Sequence, residues 1–263
     1  MTITIYKNEL GDALSDVVTH ALAIDSLEII KITGTDDETF IQGMSTKGIT
    51  VCFNGWLDTP LKDLKGEFGM TSLDVLRGLV RFTSFKTEEA SVDVVRRDKN
   101  GEEEPTEISF NDGKGTKAVY RLMNKDIIPK QPRFIGSDWT WDVEVELSKS
   151  KIAELSQVAS IYSKFQSDII TKVRDGKLYF CFGDEESSTH RAEVIVSDVS
   201  GKLTNRLIWP ESIIMNILKM VDDSRNVTGT VKIHNEKKVM TIVLKSKYAR
   251  YEYTMKTKEE VDV

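Results

Sequence analysis

Apolar residues recur with helical spacing at four places along the chain, and each place predicts an amphipathic helix. In the first, residues 10–22, an apolar residue falls at every third or fourth position. The second runs from Ser72 to Phe82, the third follows the capping residue Ser148, and the fourth opens at Pro210, a residue favoured in a first helical turn. Each helix is therefore expected to bury one face against the rest of the fold.

Short segments rich in β-branched and aromatic residues lie between these helices and predict strands. Turn signals, such as the Gly-Thr-Asp run at 34–36, separate several of them. The predicted strands cover residues 27–33, 38–43, 48–53, 90–96, 106–110 and 118–123, and then 140–147, 168–174, 177–183, 191–199, 228–234, 239–245 and 249–255.

The order of elements occurs twice. An aperiodic segment containing Pro129, Pro132 and Gly136 predicts a connector. The elements that follow it repeat those before it at an offset of roughly 139 positions. The sequence therefore predicts a first domain at 1–124, a connector at 125–138 and a second domain at 139–263. Each domain would have two helices packed on antiparallel sheets, which makes the fold class α+β.

Composition indicates a soluble globular protein: 40% of the 263 residues are hydrophobic and 30% are charged. No apolar run approaches the roughly 20 residues that a membrane span needs, and residues 1–10 do not resemble a signal peptide. The two cysteines, Cys52 and Cys181, lie in predicted strands, which favours buried thiols over a disulfide or a zinc site. We therefore expect a cytoplasmic protein with no membrane partner.

Motifs that carry chemistry are missing from the sequence. No glycine-rich phosphate-binding motif occurs, and His20, His190 and His234 have no partner at metal-ligand spacing. His20 ends the first predicted helix, where it is interpreted as a positive charge that interacts favourably with the negative end of the helix dipole. The sequence therefore predicts no catalytic residue, no metal site and no cofactor, and the protein is not expected to be an enzyme.

Three stretches resemble the sliding-clamp family: FIQGMSTKGITVCF at 40–53, TSLDVLRGLVRF at 71–82 and ARYEYTMKTKEE at 249–260. The similarity is greatest to the T-even-type phage clamps and smaller to proliferating cell nuclear antigen (PCNA). It implies a duplicated two-domain DNA-clamp fold and a homotrimeric ring around double-stranded DNA, with helices inside, sheets outside and edge strands paired between subunits. It also implies a polymerase processivity factor that binds a DNA polymerase and is loaded by a clamp-loader ATPase, in an infected host cell if a phage encodes it.

The resemblance also implies that basic residues on the helices line the hole. The net charge is −6 in spite of 36 basic residues, so their distribution matters more than the total. Asp12 and Asp16 dominate the first helix, which departs from this expectation, and a solvated surface charge is the alternative for each basic residue. The expected lining residues are Lys7, Arg77, Arg81, Lys149, Lys151, Lys164, Lys219 and Arg225.

A surface pocket for partner peptides, near the connector and the C-terminal strand, is a further implication of the resemblance. Its expected residues are Met44, Ile49, Ile127, Ile128, Pro129, Tyr251, Tyr253 and Met255. The alternative for Tyr251, Tyr253 and Met255 is that they fill the core. Two other functions stay open: a phage structural or assembly protein with a duplicated sandwich domain, and an enzyme whose site the sequence does not reveal.

Overall fold

The computed structural model describes residues 9–45, 47, 49–99, 101–130, 139–164, 167–183, 190–222, 224 and 226–258. Within these ranges the chain has four α-helices and sixteen strands. None of these helices is long and apolar enough to cross a membrane. The helices are α1 (Glu9–Ala21), α2 (Leu73–Arg81), α3 (Lys149–Tyr162) and α4 (Glu211–Leu218).

The strands fall into two series, one on each side of the connector. The first series is β1 (Ile29–Gly34), β2 (Thr39–Ser45), β3 (Val51–Leu57), β4 (Gly66–Thr71), β5 (Ser91–Lys99), β6 (Glu102–Asn111), β7 (Lys117–Arg121) and β8 (Met123–Asn124). The second is β9 (Val143–Glu146), β10 (Asp168–Arg174), β11 (Lys177–Phe182), β12 (Ala192–Asp198), β13 (Leu207–Pro210), β14 (Thr228–His234), β15 (Val239–Lys245) and β16 (Ala249–Lys256).

The predicted α+β class and the repeated order of elements are confirmed, because each half places four strands between its two helices and further strands after the second helix. Ser148 caps α3 as expected, since its Oγ accepts a hydrogen bond from the backbone N–H of Lys151 at 3.3 Å. Two strands were not predicted, β4 and β13. They are equivalent elements of the two halves, and each directly precedes the second helix.

Three antiparallel sheets make up the fold. The largest has nine strands in the order β8-β4-β1-β2-β3-β16-β15-β14-β9. It joins the two halves, because β3 of the first half pairs with β16 of the second over seven residue pairs, from Leu57 opposite Ala249 to Val51 opposite Met255. The smaller sheets are β5-β6-β7 and β12-β11-β10-β13.

One face of β16 lies in the main core. Tyr251, Tyr253 and Met255 alternate along the strand, so they point to the same side, and all three are essentially inaccessible to solvent. Phe53 of β3 packs beside both tyrosine rings, with ring centroids 5.7 Å and 5.3 Å away. The prediction that these three residues line a surface pocket is therefore wrong, and the core-filling alternative is correct. Cys52 and Cys181 are buried as well.

His20 lies inside a polar network between α1 and β16, and not on a helix surface. Its ring stacks on Tyr251 with centroids 3.9 Å apart. The hydroxyl of Tyr253 donates to the carbonyl oxygen of His20 at 3.0 Å and lies 2.9 Å from His20 Nδ1. Burial lowers the pKa of His20 to about 3, so the ring is neutral near pH 7. The interpretation of His20 as a charge at the helix end is therefore wrong.

Acidification is expected to destabilise the protein through His20. The folded-state pKa lies below the unfolded value of about 6.5, so below pH 6.5 the unfolded chain takes up a proton that the folded chain does not. This contribution to stability is complete above pH 6.5 and is lost as the pH falls towards 3. Between pH 7.5 and 5.5 the loss is about 1.4 kcal/mol for one such group. Urea unfolding at both pH values measures the free energy of unfolding of the parent and of His20→Gln. The loss between pH 7.5 and 5.5 should be smaller in His20→Gln by this amount, and equal losses would contradict the lowered pKa of His20.

Candidate DNA-facing and partner-binding surfaces

The four helices form one continuous layer, in the order α2, α1, α4, α3. The Arg81 side chain at the end of α2 donates to Thr19 Oγ1 on α1 at 3.2 Å. Asn216 on α4 donates to Asp25, in the turn after α1, at 3.3 Å. Helices α3 and α4 pack against each other. Four of the expected DNA-lining residues lie on these helices, and two more, Lys164 and Lys219, lie within two residues of the ends of α3 and α4; the four are Arg77, Arg81, Lys149 and Lys151.

Acidic neighbours form ion pairs with three of these basic side chains. Arg77 pairs with Asp74, one turn earlier on α2, and Lys151 pairs with Glu154, one turn later on α3. Lys149 Nζ lies 2.8 Å from Asp222 Oδ1, and this contact, with hydrogen bonds from Ser224, lowers the pKa of Asp222 to about 2. No lysine or arginine occurs on α1 within its described length, Glu9–Ala21. The helical layer is therefore mixed in charge and carries no basic stripe.

Arg81 and Lys219 come together in a cleft of about 590 Å³ between α1, α4 and the turn from β15 to β16. Lys247 contributes a third basic group to it, and Asp12 and Asp16 contribute carboxylates. Burial raises the pKa of Asp16, although Ser246 and Tyr251 each donate a hydrogen bond to it at 2.7 Å. Lys164 is exposed just beyond α3. Lys7 and Arg225 lie outside the described residues.

The connector carries an exposed apolar group beside the nine-stranded sheet. Ile127 is the last residue of a short 3-10 helix and is highly exposed, and Pro129 is exposed as well. Ile128 lies over Gly69 of β4, where an added Cβ would be only 3.2 Å from Ile128 Cγ1. Glycine at position 69 therefore lets the connector approach the sheet.

Ile128 lies on the same face of the nine-stranded sheet as Gln42 and Met44 of β2. The tyrosines of β16 lie on the other face of this sheet. Met44 pairs with Cys52 in the strand register, and Cys52 pairs with Thr254, whereas Tyr253 pairs with Phe53. The amide nitrogen of Gln42 is buried, and no described residue accepts a hydrogen bond from it. Met44 is half-buried, and Ile49 packs against the edge of the core. We call Gln42, Met44, Ile127, Ile128 and Pro129 the connector patch; the sequence did not single out Gln42.

Other exposed apolar side chains cluster at two unpaired strand edges. Among the residues that the structure describes, β7 pairs with β6 alone and β12 with β11 alone. Helix α2 packs beside β7, and α3 packs beside β12. Among the described residues, six large apolar side chains are between 42% and 68% exposed. One is Ile127; Val75, Phe82 and Val119 belong to the α2–β7 side, and Ile161 and Ile195 to the α3–β12 side.

Charges at the two edges complement each other. On β7 the outward residues are Lys117, Val119 and Arg121, a basic pair that flanks an apolar residue. On β12 they are Glu193 and Ile195; a bulge follows Ile195, so Ser197 is in register with the inward-facing Leu178. An antiparallel pairing with Val119 opposite Ile195 would place Arg121 opposite Glu193, and these two side chains would then exchange or share their ion pairs with Glu107 and Arg174 of their own chains. The two edges are therefore suited to each other.

Comparison with solved structures identifies the fold. PCNA of A. fulgidus, in a structure with the C-terminal region of FEN-1, superposes with a TM-score of 0.65 at 11% identity, over 96% of this chain and 97% of that one. A chain of the PCNA2–PCNA3 complex of Sulfolobus tokodaii gives 0.63 at 11% identity, over 94% and 96%. No family model and no curated protein matches the sequence. Across nearly its whole length, the chain therefore has the duplicated α+β fold of PCNA-type sliding clamps.

Proposed function

We propose that the protein is a sliding clamp, a homotrimeric ring that encircles duplex DNA and tethers a DNA polymerase. The observation that carries this proposal is the pair of complementary open edges, β7 and β12, in a chain with a clamp fold. A chain with two different and complementary edges associates head to tail, and such contacts close into a ring when the rotation per subunit allows it.

The exposed apolar side chains support the same interface. Pairing β7 with β12 of the next subunit would bring Val119 against Ile195 and would cover the flanking residues Val75 and Ile161 on the adjoining helices. These side chains would otherwise stay in water, which is unfavourable for an apolar surface. We infer that α2 and α3 of neighbouring subunits meet at the same junction.

DNA would be retained by encirclement, with little contribution from direct affinity. Three of the expected lining residues, Arg77, Lys149 and Lys151, have acidic partners in the chain itself. Arg81 and Lys219 are the best remaining candidates for phosphate contacts, and Asp12 and Asp16 lie in the same cleft. Such a surface would give weak, salt-sensitive contacts that do not read bases.

The connector patch is the proposed site for polymerase and clamp-loader peptides. Ile127 supplies an exposed apolar anchor of the kind that peptide sites use. The A. fulgidus PCNA structure, which contains the C-terminal region of FEN-1, is consistent with a peptide site on this fold. The T-even-type phage assignment and the domain boundaries 1–124, 125–138 and 139–263 stay predictions.

Encirclement is tested by loading the protein on a nicked circular plasmid with a clamp loader, washing with 1 M salt and then cutting the circle once. We expect retention on the circle through the wash, because salt screens phosphate contacts but opens no closed ring. Rapid loss should follow the cut, because the ring slides off a free end. Bound protein is measured by gel filtration of the DNA.

Two outcomes would contradict this mechanism: protein that stays on the linear DNA, or protein that the wash removes from the circle. A double variant, Arg81→Glu with Lys219→Glu, should reduce loading while its oligomer mass stays unchanged. Lys62→Glu with Lys86→Glu is the matched control, since both lysines are exposed and neither lies on the four helices. A pure assembly protein without a DNA role would form oligomers but would show no dependence on DNA topology.

A further inference from the structure

The small sheet of the second half carries a basic cleft on the face that points away from its core. Residues on this sheet alternate, so Thr171, with Leu178 and Phe180 of β11, faces the interior, where Trp209 Nε1 donates to Thr171 Oγ1 at 2.9 Å. Lys172 and Arg174 face the other way. The cleft between them and the segment 203–206 has a volume of about 450 Å³. That volume lies within the roughly 300–1,000 Å³ of typical ligand sites.

Three cations gather in this cleft although the whole chain carries a net charge of −6. Arg206 directly precedes Leu207, which pairs with Thr171, so Arg206 and Lys172 are neighbours across the sheet. Arg174 lies with its guanidinium carbon 4.6 Å from the centre of the Tyr179 ring. Among the described residues of the lining, Glu193 is the acidic one, and it forms an ion pair with Arg174 at 2.9 Å. We call Lys172, Arg174, Tyr179 and Arg206 the outer basic cleft.

One wall of the cleft is held in place by Asn235, which is itself buried. Its Oδ1 accepts hydrogen bonds from the backbone N–H groups of Thr204 and Asn205, at 2.9 Å and 3.0 Å. Its Nδ2 donates to Thr204 Oγ1 at 2.8 Å, and its backbone carbonyl accepts from the Asn205 amide at 2.9 Å. The segment that carries Arg206 is therefore fixed before any partner binds, which lowers the entropic cost of binding.

We propose that the outer basic cleft binds an acidic, extended peptide segment of a partner protein. Lys172 and Arg206 would bind its carboxylates, and the Tyr179 ring and Leu203 would contact an apolar side chain beside them. Single-stranded nucleic acid fits this cleft less well, because a phosphate backbone binds along a continuous basic track and the described lining offers three cations at one place. The cleft faces away from the buried side of its sheet, and its assignment does not depend on the proposed function.

The test uses the full chain and a fluorescein-labelled octapeptide, GEELEEFG, in fluorescence anisotropy titrations at low and moderate salt. Saturable binding is expected, and the amide analogue GQQLQQFG should bind at least about tenfold more weakly, because it loses its charge-assisted hydrogen bonds. Lys172→Glu with Arg206→Glu should lower the affinity for GEELEEFG at least about tenfold. The control, Lys62→Glu with Lys86→Glu, makes the same change in net charge at exposed positions of the first half and should bind like the parent.

Four results would overturn the proposal. They are a lack of saturable binding, an equal loss in the control variant, tighter cleft-dependent binding of an eight-nucleotide dT strand, and binding that occurs only after removal of residues 259–263. The last result would assign the cleft to the acidic end of the chain itself. Oligomer mass is recorded for every variant, so that a failure of the ring is distinguished from a failure of the cleft.

Discussion

Ile195→Glu is expected to convert the ring into single chains. The substitution places a carboxylate at the centre of the proposed β7–β12 junction, next to Glu193, where it would face Val119 of the neighbouring subunit. Burying an unpaired charge there costs more than the junction gains. Light scattering after size exclusion should change from three times the chain mass of 29.7 kDa to one times that mass. The circular dichroism spectrum should be unchanged, because Ile195 is 42% exposed in the single chain.

The proposed register is tested by restoring the pair. Val119→Lys alone should also weaken the ring, whereas Val119→Lys combined with Ile195→Glu should recover at least part of the trimer, because opposite charges then face each other across the strands. Ile127→Glu, at a still more exposed position on the connector, is the control and should stay trimeric. If Ile195→Glu leaves the oligomer mass unchanged, the subunits meet through another surface.

Tyr253→Ala is expected to lower the free energy of unfolding by about 3–5 kcal/mol, the loss typical of removing a large buried aromatic side chain. Tyr253 is fully buried between α1 and β3, and its hydroxyl is the hydrogen-bond partner of His20. Urea denaturation at one fixed protein concentration measures the loss, since subunit association also adds to apparent stability. If Tyr253→Ala weakened peptide binding without lowering stability, Tyr253 would belong to a surface pocket and not to the core.

Two further variants serve as comparisons for Tyr253→Ala. One measures the contribution of the Tyr253 hydroxyl alone, and the other measures the effect of removing an exposed apolar side chain. Tyr253→Phe keeps the ring and loses the hydrogen bonds to His20, which should cost about 1–2 kcal/mol. Ile127→Ala removes an exposed side chain and should change stability by less than about 0.5 kcal/mol. The same Ile127→Ala variant should weaken the binding of a polymerase peptide by about 1 kcal/mol or more if Ile127 is an anchor. The two positions are therefore expected to have opposite phenotypes.

Most elements of the fold could be predicted from the sequence, because their apolar periods are long and regular. The strands at 168–174, 228–234 and 239–245 have the predicted bounds. Strands β4 and β13 were missed because they are short and contain residues that usually end strands: Gly66 and Gly69 in one, and Pro210 in the other. Pro210 both ends β13 and caps α4, and the sequence indicated only the second role.

The candidate sites could be predicted only in part, since they depend on which strands become neighbours. The sequence placed Tyr251 and Met44 in one pocket, but the register puts their side chains on opposite faces of the sheet. Alternation along 249–255 could have shown that Tyr251, Tyr253 and Met255 share a face, but not which face is buried. Likewise, Lys149 is basic in sequence, but its pairing with Asp222 joins residues that are far apart in the chain.

The ladder between β3 and β16 determines where a ring of these chains can open. Within a chain, the two halves are joined by the seven residue pairs of this ladder and by a shared core, in addition to the covalent connector. Between chains, the proposed contact has only two short edge strands and the helices beside them. In the proposed ring, the junction between chains is the weaker contact, so a loader would separate neighbouring subunits and leave each chain intact.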